Sequence, residues 1–142
     1  MNAPPAAYVY EVAGGEGGAP LAVTLLHKLT HPEGGGAANP DDFAHRVAIS
    51  DDGRYLAAGT SAANTVYVFG GPTFPQEERY TLLRKITLAS VPDISETVAR
   101  FGSFLAFSGD CIAIAAPVVA ADDGIGGSLP RAGKVCLFQN SP

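Results

Sequence analysis

His27 and His31 stand four residues apart in the segment Leu25-Leu26-His27-Lys28-Leu29-Thr30-His31. On a helix that spacing would place both imidazoles on one face, where they could share a metal ion. The segment reads as a strand, however, and strand positions i and i+4 lie about 13 Å apart. Rings that far apart cannot chelate one ion, so both histidines are expected at the surface. Cys111 and Cys136 fall in apolar runs, and neither belongs to a motif pairing it with a histidine. They read as buried thiols, with a structural disulfide as the alternative. No Gly-x-Ser-x-Gly elbow occurs, and the glycine runs around Glu16 and at Gly34-Gly35-Gly36 lack the Lys-Ser/Thr of a phosphate loop. The acid pairs Asp41-Asp42 and Glu77-Glu78 lie in loop segments, without the enclosing cleft that drives two carboxyl pKa values apart. These residues point away from an enzyme.

The elements that must position them are short and uncharged. Charged residues make up 16% of the 142-residue chain, against about 25% in average domains. Together with 17 glycines and 11 prolines, this suits a single compact, loop-rich β domain better than a helical bundle. Nine basic residues are scattered among 14 acidic ones, which excludes the clustered cations that nucleic-acid binding requires. No apolar run approaches the roughly 18 residues of a membrane-spanning helix. The N-terminus has neither a basic start nor a continuous apolar stretch, so no signal peptide is expected.

The chain repeats itself. Thr24-Leu25-Leu26-His27-Lys28-Leu29-Thr30 returns 57 residues later as Thr81-Leu82-Leu83-Arg84-Lys85-Ile86-Thr87. Tyr8-Val9-Tyr10 returns as Tyr67-Val68-Phe69, and more loosely as Cys136-Leu137-Phe138. The stretch opening at Phe43 returns at Phe101. Each segment has the length, β-branched content and bounding turns of a strand. The unit is four short antiparallel strands in about 58 residues, graded from buried to exposed, which is the sequence form of a β-propeller blade. The expected organisation is two copies, 43–100 and 101–139. Strands within 6–30 would belong to a preceding or shared blade.

Phe101-Gly102, Leu105 to Asp110, Ala115-Ala116-Pro117 and Gly133-Lys134-Val135-Cys136-Leu137-Phe138 resemble an FG-GAP repeat, the blade unit of integrin α-chain propellers. The first copy has Phe43-Ala44 and Ala58-Gly59-Thr60 at the corresponding places, and is equally similar to a WD40-type blade. The FG-GAP resemblance implies an extracellular or cell-surface adhesion module that binds a protein or carbohydrate. It also implies calcium, held by alternating carboxylates in the loop between the first two strands. Here those loops are Asp51-Asp52-Gly53 and Ser108-Gly109-Asp110, with too few oxygens. The acidic loop from Ala121 to Gly127 reads as a solvated connection, with calcium as the alternative. No cofactor is expected.

Propellers present ligands with loops carried on rigid strands. The candidate loops are Gly70 to Arg79 and Val118 to Ala132, with Phe74, Gln76, Glu77, Asp122, Asp123 and Arg131 as candidate ligand-binding residues. A structural scaffold in a larger intracellular assembly is the alternative function. A closed propeller needs about four or more blades. Two blades therefore call for further blades in a longer chain, a homo-oligomer, or a partner covering the open faces.

Overall fold

The computed structural model describes residues 5–14, 17, 19–34, 42–91, 99–119, 121–122, 125, 128–129 and 132–140. The fold is all-β, in several antiparallel sheets. Strands β1 (Ala6–Ala13) and β2 (Ala22–Thr30) pair with each other and with no other strand among the described residues. Strands β3 (Arg46–Ile49), β4 (Tyr55–Thr60), β5 (Thr65–Gly70) and β6 (Leu82–Thr87) form a four-stranded meander. Strands β7 (Phe104–Ser108), β8 (Cys111–Ala116) and β11 (Lys134–Gln139) form a three-stranded sheet with β8 in the centre. A small hairpin of β9 (Ala121–Asp122) and β10 (Ser128–Leu129) interrupts the connection from β8 to β11.

Turn chemistry fixes the registers. Ser108 pairs with Cys111, leaving Gly109-Asp110 as a two-residue loop in which Gly109 takes a φ of +56°. The first copy turns more widely. Asp52 Oδ1 accepts from the Ser50 hydroxyl (2.7 Å) and the Arg54 amide (2.9 Å), and the Tyr55 amide donates to Ser50 Oγ (2.9 Å).

The sheets stack in three layers. Ala57, Val66, Val68 and Ile86 of the central sheet pack on Phe101, Ile112 and Ile114 of the three-stranded layer. On the opposite face, Leu56, Ala58, Tyr67 and Phe69 pack on Leu29, Ala7 and Val9 of the hairpin, with Phe43 wedged beside them. Every residue of β4 and β5 is buried, so both are covered on both faces. Each fully buried Val, Ile or Phe contributes about 1.5–3 kcal/mol. The expected gradient from buried to exposed holds from β5 to β6 but fails at β3. Val47 is 60% and Ile49 52% exposed, because the two-stranded hairpin does not reach over them.

The repeat is visible in backbone detail. In β1–β2 the register shifts between Val9 and Tyr10, which pair with His27 and Leu25 and leave Leu26 over. In β5–β6 it shifts between Val68 and Phe69, which pair with Arg84 and Leu82 and leave Leu83 over. The same β-bulge thus recurs one period apart. Phe43 and Phe101 are both buried, one in each core. The residue after each is left-handed, Ala44 at φ +61° and Gly102 at φ +90°. Gly102 needs to be glycine twice over: a Cβ there would stand 3.0 Å from Val66 Cγ2 and 3.2 Å from the Thr65 carbonyl oxygen. Ala44 carries the strain without the clash, at a cost of about 1–2 kcal/mol. We expect Ala44→Gly to stabilise the fold by up to about 1 kcal/mol and Gly102→Ala to destabilise it by about 2 kcal/mol or more. Thermal unfolding should show midpoints moving in opposite directions for the two variants.

Candidate functional site

The histidines separate. His27 is exposed, as expected, and stacks on Tyr80 with ring centroids 4.4 Å apart. His31 is buried instead, edge-on to Phe43 and Tyr67 at 5.2 Å from each. Beyond β2 the chain folds under at Pro32-Glu33, and the ring enters the hairpin-side core. Its Nδ1 accepts the Glu33 amide (3.1 Å), and its Nε2 lies 3.4 Å from the Tyr67 hydroxyl. The role is structural.

The cysteines also separate. Cys136 pairs with Ile114 and is half-buried against the core, whereas Cys111 lies on the outer side of the sheet and is exposed. Both are free thiols on opposite faces, which rules out the disulfide and corrects the expectation that both are buried. Burial pushes the Cys136 thiol up, against a smaller opposing pull from Lys134.

Among the described residues, no three His, Cys, Asp or Glu side chains converge as metal ligands. Asp52 is committed to its turn, and the Arg54 amide and Ser50 hydroxyl hold its carboxyl below the ordinary range. Burial raises Asp42, but the Ser61 hydroxyl and Ala62 amide outweigh it and leave the carboxyl lowered. Asp41 lies outside the described residues.

The loop from Gly70 to Arg79 is built against the wide turn of the first copy. Gly71 N donates to Arg54 O (2.6 Å), Thr73 Oγ1 to Asp52 O (2.7 Å) and Tyr80 N to Gly70 O (2.8 Å). Arg79 Nε closes the loop on Phe74 O at 2.8 Å. Phe74 is half-buried, 5.7 Å from the Tyr55 ring, with the Arg54 guanidinium 5.7 Å from both ring centroids. It anchors the loop. Gln76 and Glu77 occupy a short 3-10 turn, Gln76–Glu78, and are exposed. Below the loop lies a cleft of about 350 Å³, lined by Tyr55, Phe74, Glu78, Leu83, Arg84 and Asn140. Asn140 is buried, and its Nδ2 has no hydrogen-bond partner among the described residues.

The two candidate loops do not form one site. The Gly70 end of β5 pairs with Tyr55 at the start of β4, whereas the Val118–Ala132 connection leaves from Ala116 at the end of β8. That second end lies with Thr60 and Thr65, near Gly102, so the loops leave opposite ends of the strands. A six-residue strand separates them by about 20 Å. Asp122 lies on β9, on the far side from Phe74, Gln76 and Glu77; Asp123 and Arg131 fall outside the described residues. The cleft residues Arg84 and Asn140 were missed by sequence reasoning. Their only signal was polarity at the start of a basic pair and just past an apolar strand.

Compared with protein-family models, with curated proteins and with solved structures, the chain matches none.

Two outcomes follow from this chemistry. On the isolated chain, kept dilute, alkylation read by mass spectrometry should modify the exposed Cys111 well before Cys136. Because Asp42 and Asp52 are lowered by folding, they add stability above their unfolded values, and this is lost as pH falls through the lowered ones. An Asp42→Asn/Asp52→Asn variant should therefore lose less stability than the parent between neutral pH and about pH 3 in denaturant titrations.

Proposed function

We propose that the chain is a non-enzymatic recognition module built of propeller-type blades, which binds a protein or carbohydrate through the loop from Gly70 to Arg79. The observation that carries this reading is the anchoring of that loop. Its backbone is bonded to Gly53 and Arg54 and wedged by Phe74, while Gln76, Glu77 and Arg79 face solvent. A loop already held in one conformation loses little entropy on binding, which suits it to recognition. The blade reading is supported by the stacked meanders, the recurrent bulge and the paired Phe43 and Phe101. The FG-GAP resemblance would place such a module at the cell surface or outside the cell.

A structural scaffold in a larger assembly is the second reading. It is favoured by the apolar side chains left uncovered at both ends of the stack, including Tyr8, Tyr10, Val135 and Leu137.

Screening the chain against immobilised glycans and extracellular-matrix proteins tests the first reading. We expect a ligand whose binding falls at least tenfold in a Gln76→Ala/Glu77→Ala variant with an unchanged unfolding midpoint. No ligand in the panel, or binding that survives the double substitution, would count against it.

A further inference from the structure

The outer face of the three-stranded sheet is apolar and open. Phe104 lies beside Ala115 and Val135, and Ala106 beside Ala113 and Leu137, in two apolar rows whose one neighbouring charge among the described contacts is the Arg46 guanidinium, 5.5 Å from the Phe104 ring at the β7 edge. Val135 is 68% and Leu137 75% exposed. Equivalent registers give this face a counterpart. Ile49–Leu56–Phe69 in the central sheet corresponds to Phe107–Ile112–Phe138 in the three-stranded one. Val135 and Leu137 then hold the places of Val66 and Val68, and Ala113 that of Ala57. Those three central residues form the face that the three-stranded sheet itself buries.

The other end of the stack shows the complementary gap. Val47 and Ile49 hold the places of Leu105 and Phe107, which β3 and β4 cover in the next layer. In their own layer no strand among the described residues covers them, and they are 60% and 52% exposed. With Leu56 they border a cleft of about 420 Å³ beside β1, whose second edge pairs with no strand among the described residues. The hairpin corresponds to the third and fourth strands of a unit, and no first or second strand lies beside it among the described residues. The chain thus carries both halves of a contact that it already makes once internally.

We propose that a second copy of this chain docks head to tail, laying the free face of its β7–β8–β11 sheet over the cleft and over Val47 and Ile49. This continues the stacking of the central sheet on the three-stranded one. In that position the incoming β11 and the resident β1 claim the same third-strand place. β11 is held by Phe138 against Phe101, by Asn140 N donating to Asp110 O (2.7 Å) and by Tyr55 OH donating to Asn140 O (3.2 Å). Apart from its pairing to β2, β1 contributes the partly buried Ala7 and Val9 to the core among the described residues. β1 is therefore the strand that yields, and β2 completes the incoming sheet as its fourth strand. Such a contact is heterologous, and it either closes a ring or extends as an open stack.

Light scattering of the full chain across a wide concentration range tests this. The expected result is a mass at least twice that of the monomer. Leu137→Glu and Val47→Glu should each give folded monomers, both positions being exposed; Val135→Glu and Ile49→Glu serve where either fails to fold. Mixing the two monomeric variants should restore a one-to-one pair, because each keeps the face the other has lost. Deuterium exchange on assembly should fall at Val47–Ile49 and Phe104–Ala106 and rise across Ala6–Ala13. A wild-type monomer at every concentration would overturn the proposal, since further repeats in a longer chain would then be the cover. So would variants that still assemble, or a mixture in which both stay monomeric, as a face binding its own like would give.

Discussion

Gly59 and Gly102 meet backbone to backbone, and that contact sets the distance between the two larger sheets. A Cβ on Gly59 would stand 2.5 Å from the Gly102 carbonyl oxygen, closer than real Cβ atoms come. With the sheets drawn together there, Phe101 seats its ring in the core, and its amide donates to Asn64 Oδ1 at 2.8 Å. The Gly102 amide donates to Ala115 O at 3.0 Å and ties the same corner to the third layer. Packing of Val66, Val68, Ile112 and Ile114 follows from that spacing. Two missing side chains thus position four large ones.

The sequence carried the strand pattern well because its signals are local. Gly109-Asp110 between two apolar runs can hardly be anything but a turn, and the Thr-Leu-Leu segments mark the outer strands wherever they occur. Burial was less legible, since it depends on which layer lies opposite. Val47 looks like a core residue and is exposed, because the hairpin above it is two strands wide. His31 looks like a surface histidine and is buried, because a two-residue turn tucks it beneath Tyr67. The cysteines sit in similar runs, yet strand parity sends them to opposite faces.

The candidate site divides in the same way. The loop containing Phe74, Gln76 and Glu77 was visible as an insertion between strands. That Phe74 would act as a wedge, with Gln76 and Glu77 presented above it, depends on Tyr55 and Arg54, some twenty residues earlier. Arg84 and Asn140 reach the cleft only through tertiary contact, Arg84 Nη1 donating to Gln139 O at 3.1 Å. Nothing in the spacing of those residues announces a shared wall.

The paired bulges bear on the direction in which this molecule can associate. An extra residue in the outermost strand of a sheet coils that strand and spoils the even row of amides and carbonyls that another chain would need to add sideways. Leu26 and Leu83 place that irregularity on the outer strands of two successive layers. Lateral zipping is discouraged where apolar strands would otherwise invite it, while the broad flat sides stay smooth. The molecule is anisotropic in its stickiness: guarded along its β2 and β6 edges and open along its stacking axis.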